Sequence, residues 1–134
     1  MLRLAQFDAN PYMRACYLAE QEDLPNKFLE SILLSLRRGG FLESKAGSRG
    51  GYRLSRQTRQ ISVGDLIRWL EGRLTIKDKR DLPAGELSGS KIAVRLINER
   101  LTDGINKVLD PMTLEQLVEH VTRAAAGNQS MYYI

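Results

Sequence analysis

The chain has 134 residues, 43% of them hydrophobic, and 20 Lys+Arg against 16 Asp+Glu give it a net charge of +4. That length sets one domain, or one domain with an appended oligomerisation segment. No run of 18 apolar residues offers a membrane span, and no basic stretch followed by an apolar run opens the chain as a secretion signal would, so the expected location is the cytoplasm. The single cysteine, Cys16, excludes an internal disulfide and any site built from several cysteines of one chain.

Met1 to Phe7 reads as the end of a helix rather than a beginning, because Leu2, Leu4, Ala5 and Phe7 are apolar and no cap precedes them. Asp8-Ala9-Asn10-Pro11 is a turn. Tyr12 to Gln21 is expected to form the first helix of a helix-turn-helix, burying Met13, Cys16, Tyr17 and Leu18. Cys16 is then a small buried apolar residue rather than a redox group. Glu22-Asp23-Leu24 makes the turn, with Leu24 packed between the two helices.

The stretch from Leu24 to Leu54 organises the rest. Phe28, Leu29, Ile32, Leu33 and Leu36 recur at helical spacing and build one apolar face. Pro25 suits the first turn, where its missing N–H costs nothing, and Gly39-Gly40 suits the stop. Phe41-Leu42 and Tyr52-Arg53-Leu54 then flank Gly47, Gly50 and Gly51, the pattern of a hairpin with a glycine-rich tip. A helix followed by a basic hairpin is the second half of a winged helix-turn-helix. Such a helix can enter a DNA major groove while the wing reaches phosphates or the minor groove.

Charge follows the same boundary. Residues 1–60 hold 10 Lys+Arg against 6 Asp+Glu, whereas residues 61–134 hold 10 against 10. Arg37, Arg38, Lys45, Arg49, Arg53, Arg56 and Arg59 lie close together with Glu43 as the one acid among them. Elsewhere such a run would read as a solvated face. On a predicted recognition helix and wing it reads as a phosphate-binding surface.

After the wing, Ser62 with Asp65 resembles a capping box and opens a helix over Val63 to Glu71 that stops at Gly72. Trp69 on this helix is expected to be core or interface. Arg73 to Gly89 is a polar linker, and Ser90 is expected to cap a long helix, Lys91 to Leu109. Val94, Ile97, Leu101, Ile105 and Val108 form a narrow, near-heptad stripe on it, which suits pairing with a second chain; the alternative is packing on its own domain. Asp110-Pro111 breaks the chain, Thr113 with Gln116 makes a second capping box, and Leu114 to Ala126 forms the last helix. The expected architecture is mostly α with a small β-hairpin: a winged helix-turn-helix over 1–72, a linker over 73–90, dimerisation helices over 91–126 and a tail over 127–134.

The order of elements and the strings LPNKFLESILLSLRRGGFLESKAG, RGGYRL, ISVGDLIRWLEG and NKVLDPMTLEQLV resemble the IscR-type family of bacterial winged-helix transcription regulators, over about residues 12–122. That family includes cysteine-metabolism and nitric-oxide-responsive repressors. The resemblance implies a homodimer with crossing long helices, whose two recognition helices are spaced for a palindromic double-stranded DNA operator. By position it implies DNA contacts from Asn26, Lys27 and Glu30 on the helix and from Ser48, Arg49, Gly50 and Gly51 in the wing. Many members carry a wing arginine before the glycine run. Here that place is Ala46 and Arg49 replaces a glycine, so Arg49 is the expected groove-reaching side chain. Members with an iron–sulfur cluster place three cysteines between the fourth helix and the long helix; Arg73 to Lys91 has none, so no such cluster and no metal site is expected. MLRLAQF matches only the last turns of the family's first helix, which implies an upstream start or a shortened helix.

Phosphate contacts from Arg37, Arg38, Lys45, Arg53 and Arg56 would supply affinity, and helix residues base discrimination, in a dimeric regulator, expected to be a repressor. A winged-helix module binding protein is the alternative. An enzyme is not expected: one His, one Cys and a GSRGG run without a following Lys-Ser/Thr leave little to build a site from. An unknown small-molecule or protein effector remains open as a partner; a membrane does not.

Overall fold

The computed structural model describes residues 1–72 and 88–131; the linker expected over 73–90 falls almost wholly outside them, as do the last three residues of the tail. Six helices and one hairpin follow in order: α1 (Leu2–Ala5), α2 (Ala15–Gln21), α3 (Asn26–Arg38), β1 (Leu42–Lys45), β2 (Gly51–Leu54), α4 (Val63–Glu71), α5 (Gly89–Leu109) and α6 (Leu114–Met131), with a 3-10 turn at Thr58–Gln60. The mostly helical fold with a small hairpin is as expected.

The first departure lies at the start of the helix-turn-helix. Helix α2 begins at Ala15, not Tyr12, because Tyr12 and Met13 belong to the wing. The Met13 and Tyr52 N–H groups each donate to the other residue's carbonyl at 2.8 Å. Asn10, held at φ +45°, extends the pairing with its side-chain amide, which donates to the Leu54 carbonyl at 2.9 Å and accepts the Leu54 N–H at 3.2 Å. An Asn amide can act in this way as a short piece of backbone. The two-stranded wing thus gains a third edge. Gly51, at φ +142°, leaves room for it, since a Cβ there would overlap the Met13 carbonyl.

The core joins every element of the winged domain. Leu18 and Ala19 from α2, Leu29, Leu33 and Leu36 from α3, Phe41, Leu42 and Leu54 from the wing, Ile61 and Leu66 all belong to one cluster, and Leu114 at the start of α6 joins them, fully buried. The core therefore draws on a residue well beyond the winged-helix sequence of 1–72, pinned by the Leu114 N–H donating to the Ile61 carbonyl at 2.9 Å. Cys16, Tyr17, Leu24 and Phe28, expected inside, are exposed, and so is Val121, expected on the buried side of the last helix. Of α2 only Leu18 and Ala19 are buried, with Ala15 packed partly against the core. Leu24 follows Asp23, whose left-handed φ of +51° turns the chain outward.

Helix ends follow local chemistry closely. Thr113 and Gln116 form the reciprocal box, each side chain accepting the other's N–H, at 3.2 and 3.1 Å. Ser62 Oγ accepts the Asp65 N–H at 3.3 Å, but the Asp65 carboxylate turns instead to Arg68, at 2.8 Å. Ser88 rather than Ser90 occupies the N-cap position of α5, and α6 runs past Ala126 and through Gly127 to Met131. At the end of α3, Gly40 adopts φ +76°, a helix-terminating conformation that a side chain would resist. Trp69 lies across Gly39 and donates its indole N–H to the Ser35 carbonyl at 2.8 Å, which locks α4 onto the last turn of α3.

Arg68 makes the other junction. It bonds Asp65, Asp110 and the Asn106 side chain, the last at 3.1 Å, so that α4 holds the C-terminal end of α5. The Asp65 carboxylate, then that of Asp110, raises the guanidinium pKa further above its usual value, so this charge is fixed at any working pH. The long helix is thereby anchored at one end to the winged domain.

Candidate nucleic-acid interface

Helix α3 has an inner and an outer side. At 3.6 residues per turn, Leu29, Leu33 and Leu36 share the inner side. Lys27, Ser31 and Arg38 centre the outer one, bordered by Phe28 on one flank and Glu30 on the other, all five exposed. Asn26, also exposed, opens the helix. The side chains of Asn26, Lys27, Glu30 and Arg38 have no hydrogen-bond or ion-pair partner among the described residues. The first turn of α3 therefore presents a donor-acceptor amide, a cation and a carboxylate to solvent. These are the groups that read base edges.

The wing hairpin pairs Leu42 with Leu54, Glu43 with Arg53, Ser44 with Tyr52 and Lys45 with Gly51. Leu42 and Leu54 point into the core; Glu43 and Arg53 share the other face with Tyr12. Arg53 pairs with Glu43 and lies over the Tyr12 ring, 4.3 Å from its centroid, while Tyr12 donates to Glu43 at 3.3 Å. Lys45 sits over the same ring at 5.8 Å. Cation–π and ion-pair contacts thus brace the hairpin from one side. Arg14 braces the tip, donating to the Ser48 carbonyl at 2.6 Å, and Arg37 ties the last turn of α3 to Ser44 at 3.0 Å.

These contacts divide the sequence-predicted residues. Asn26, Lys27, Glu30, Arg38 and Arg49 are exposed and unpaired among the described residues. Ser48 is exposed, with its carbonyl bound by Arg14. Gly50 is buried inside the turn, where its N–H donates to the Gly47 carbonyl at 3.1 Å and a Cβ would overlap the Lys45 carbonyl. Gly50 and Gly51 are thus places of close backbone approach. Arg53 and Arg56 are engaged within the fold, Arg56 donating to the Gly40 carbonyl at 3.3 Å. Tyr12 and Arg14 were missed because both were placed in a helix.

Behind the wing an open groove of about 700 Å³ runs between Phe7, Asn10, Arg53, Arg56, Arg59 and Glu115. Its arginines are balanced by Asp8, Glu43 and Glu115. On α5, Val94, Ile97, Leu101, Ile105 and Val108 are exposed, and the helix buries no residue. Ile92 and Leu96, 54% and 51% exposed, occupy the opposite side of its first half and were missed by reading a single stripe.

A winged helix-turn-helix with a free polar first turn on α3 and a braced, glycine-tipped wing defines the DNA-binding module of a transcription regulator. Residues 1–120 match the Rrf2 family, described as iron-dependent transcriptional regulators, and the chain belongs to that family. It is 32% identical over 115 residues to the HTH-type transcriptional regulator CymR of Bacillus subtilis, covering 86% of this chain and 75% of that protein. The structure of B. subtilis CymR, the global cysteine regulator, superposes with a TM-score of 0.69 at 31% identity, over 89% of this chain and 87% of that one. The IscR of T. potens superposes with a TM-score of 0.69 at 29% identity, over 92% and 80%. The family is one of regulators, not enzymes.

The family description names iron, and the donor set of this chain can be tested against it. Thiolates hold iron–sulfur clusters, and the chain has one cysteine, exposed on α2, and one histidine, exposed on α6. Among the described residues no three His, Cys, Asp or Glu side chains gather as a metal site, and residues 73–87 contain neither Cys nor His. The residues present do not fit a thiolate-held cluster.

Proposed function

We propose that the protein is a homodimeric repressor that binds a palindromic operator in double-stranded DNA, with α3 in the major groove and the wing on the adjacent backbone or minor groove. The observation that carries this reading is the set on one module that is unpaired among the described residues: Asn26, Lys27 and Glu30 near the start of α3, Arg38 at its end and Arg49 in the wing loop. Free cations release counterions when they meet phosphate, and free polar side chains discriminate bases. The role of repressor rests on the likeness to repressors of the same family. Dimerisation rests on the exposed stripe of α5, which an isolated chain would leave in water. A double-stranded DNA partner places the protein in the cytoplasm, and no described helix is long and apolar enough to cross a membrane.

A salt titration tests the reading. With fragments of the gene's own upstream region against an unrelated duplex, one fragment is expected to bind in preference, with log K falling by about 0.9 per log unit of salt for each phosphate neutralised. Arg49→Ala is expected to weaken that complex about tenfold, the loss of one charge-assisted groove contact worth roughly 1–3 kcal/mol. Absence of binding at low salt would overturn the DNA reading and leave the protein-binding alternative.

We also propose that this member works without an iron–sulfur cluster, its effector being a small molecule or a partner protein. Anaerobic incubation with ferrous iron and sulfide, followed by desalting, is expected to leave no visible absorbance near 400 nm. A stable brown protein with bound iron and acid-labile sulfide would refute it.

A further inference from the structure

The outer side of α3 is not uniformly polar. Phe28 stands in its first turn, 55% exposed, between Lys27 and the buried Leu29. The core does not need it, because Leu29, Leu33 and Leu36 already supply the inner side of the helix. The polar residues of the same end of the helix, Asn26, Lys27 and Glu30, are unpaired among the described residues, and the Ser31 hydroxyl donates back to the Phe28 carbonyl at 2.8 Å. An aromatic ring therefore projects from the turn that, in a helix-turn-helix, lies nearest the base edges.

The major groove offers one apolar feature, the C5-methyl of thymine, and apolar side chains including Phe read it by contact. We propose that Phe28 is a specificity-determining residue whose ring packs on the methyl group of one thymine in each half-site. Polar neighbours on the same turn take the hydrogen-bonding edges, while Phe28 selects thymine over cytosine and over any base without that methyl. The ring also sheds water on docking, which couples its own burial to that of the methyl. This inference rests on the DNA-binding reading above.

The test uses the full chain and duplexes selected by it from a randomised pool. Each thymine of the recovered operator is replaced in turn by deoxyuridine, which removes the methyl and nothing else. At one position per half-site the wild type is expected to bind about fourfold more weakly, the effect of unburying roughly one methyl-sized group, and about sixteenfold with both half-sites changed. Phe28→Ala and Phe28→Gln are expected to bind the thymine and uracil duplexes equally while keeping their preferences elsewhere. Both changes lie in an exposed side chain, and thermal melting checks that each variant is folded. A wild type indifferent to every thymine methyl, or variants that keep the wild-type ratio, would overturn the role of Phe28 and leave the DNA-binding reading intact. A pool that yields no enriched sequence would overturn both.

Discussion

Ile97→Glu combined with Leu101→Glu is expected to convert the protein to a monomer in sedimentation equilibrium and to weaken operator binding by about a hundredfold or more. Both residues are exposed, at 57% and 44%, near the middle of the α5 stripe. Placing carboxylates against their own copies across a two-fold interface buries unpaired like charges, which costs far more than the lost apolar contact. The effect on DNA follows from linkage between half-sites. A dimer binds its second half-site intramolecularly at a high effective concentration, and a monomer forfeits that gain without losing a single DNA contact. The junction of Arg68 with Asp65, Asp110 and Asn106 adds to the argument, because it couples the last turns of α5 to the winged domain. A dimer made through α5 would hold two recognition helices at a set spacing. The same paired change leaves the winged core untouched, so melting of the monomer should remain cooperative. Unchanged mass in solution would refute the role of the stripe.

The second large effect is on stability. Leu114→Ala is expected to cost about 2–5 kcal/mol, the range for emptying a fully buried leucine site. Leu114 is 0% exposed and packs with a core assembled from α1 to α4. The midpoint temperature should fall by roughly 10 °C or more. Val121→Ala, about two turns of helix further on and 38% exposed, should change stability by only about 0.5 kcal/mol and serves as the control. A small effect at Leu114 would mean that α6 is not part of the winged core.

Much of this protein can be read without its tertiary structure, and the reason is that local chemistry is strong where it was legible. The inner face of α3 at Leu29, Leu33 and Leu36 follows from helical periodicity. Its stop follows from Gly39-Gly40, and the start of α6 from the Thr113–Gln116 box. The glycine-tipped hairpin and the missing thiolates are likewise properties of residues close together in the chain. Tertiary structure decided the rest, because it depends on partners far apart in sequence. Tyr12 and Met13 carry a helical pattern of apolar residues, yet the bridge from Met13 to Tyr52 and the Tyr12 contacts with Glu43 and Arg53 hold them outside the helix, a gain no local window can register. Phe28 fits the apolar periodicity as well as Leu29 does; only the packing of α2 against α3 determines which of them is covered. Arg53 and Arg49 are equivalent as charges in a list. The folded wing sets one against Glu43 and Tyr12 and leaves the other, in the loop, unpaired among the described residues, because strand register, not composition, decides which cation meets an anion.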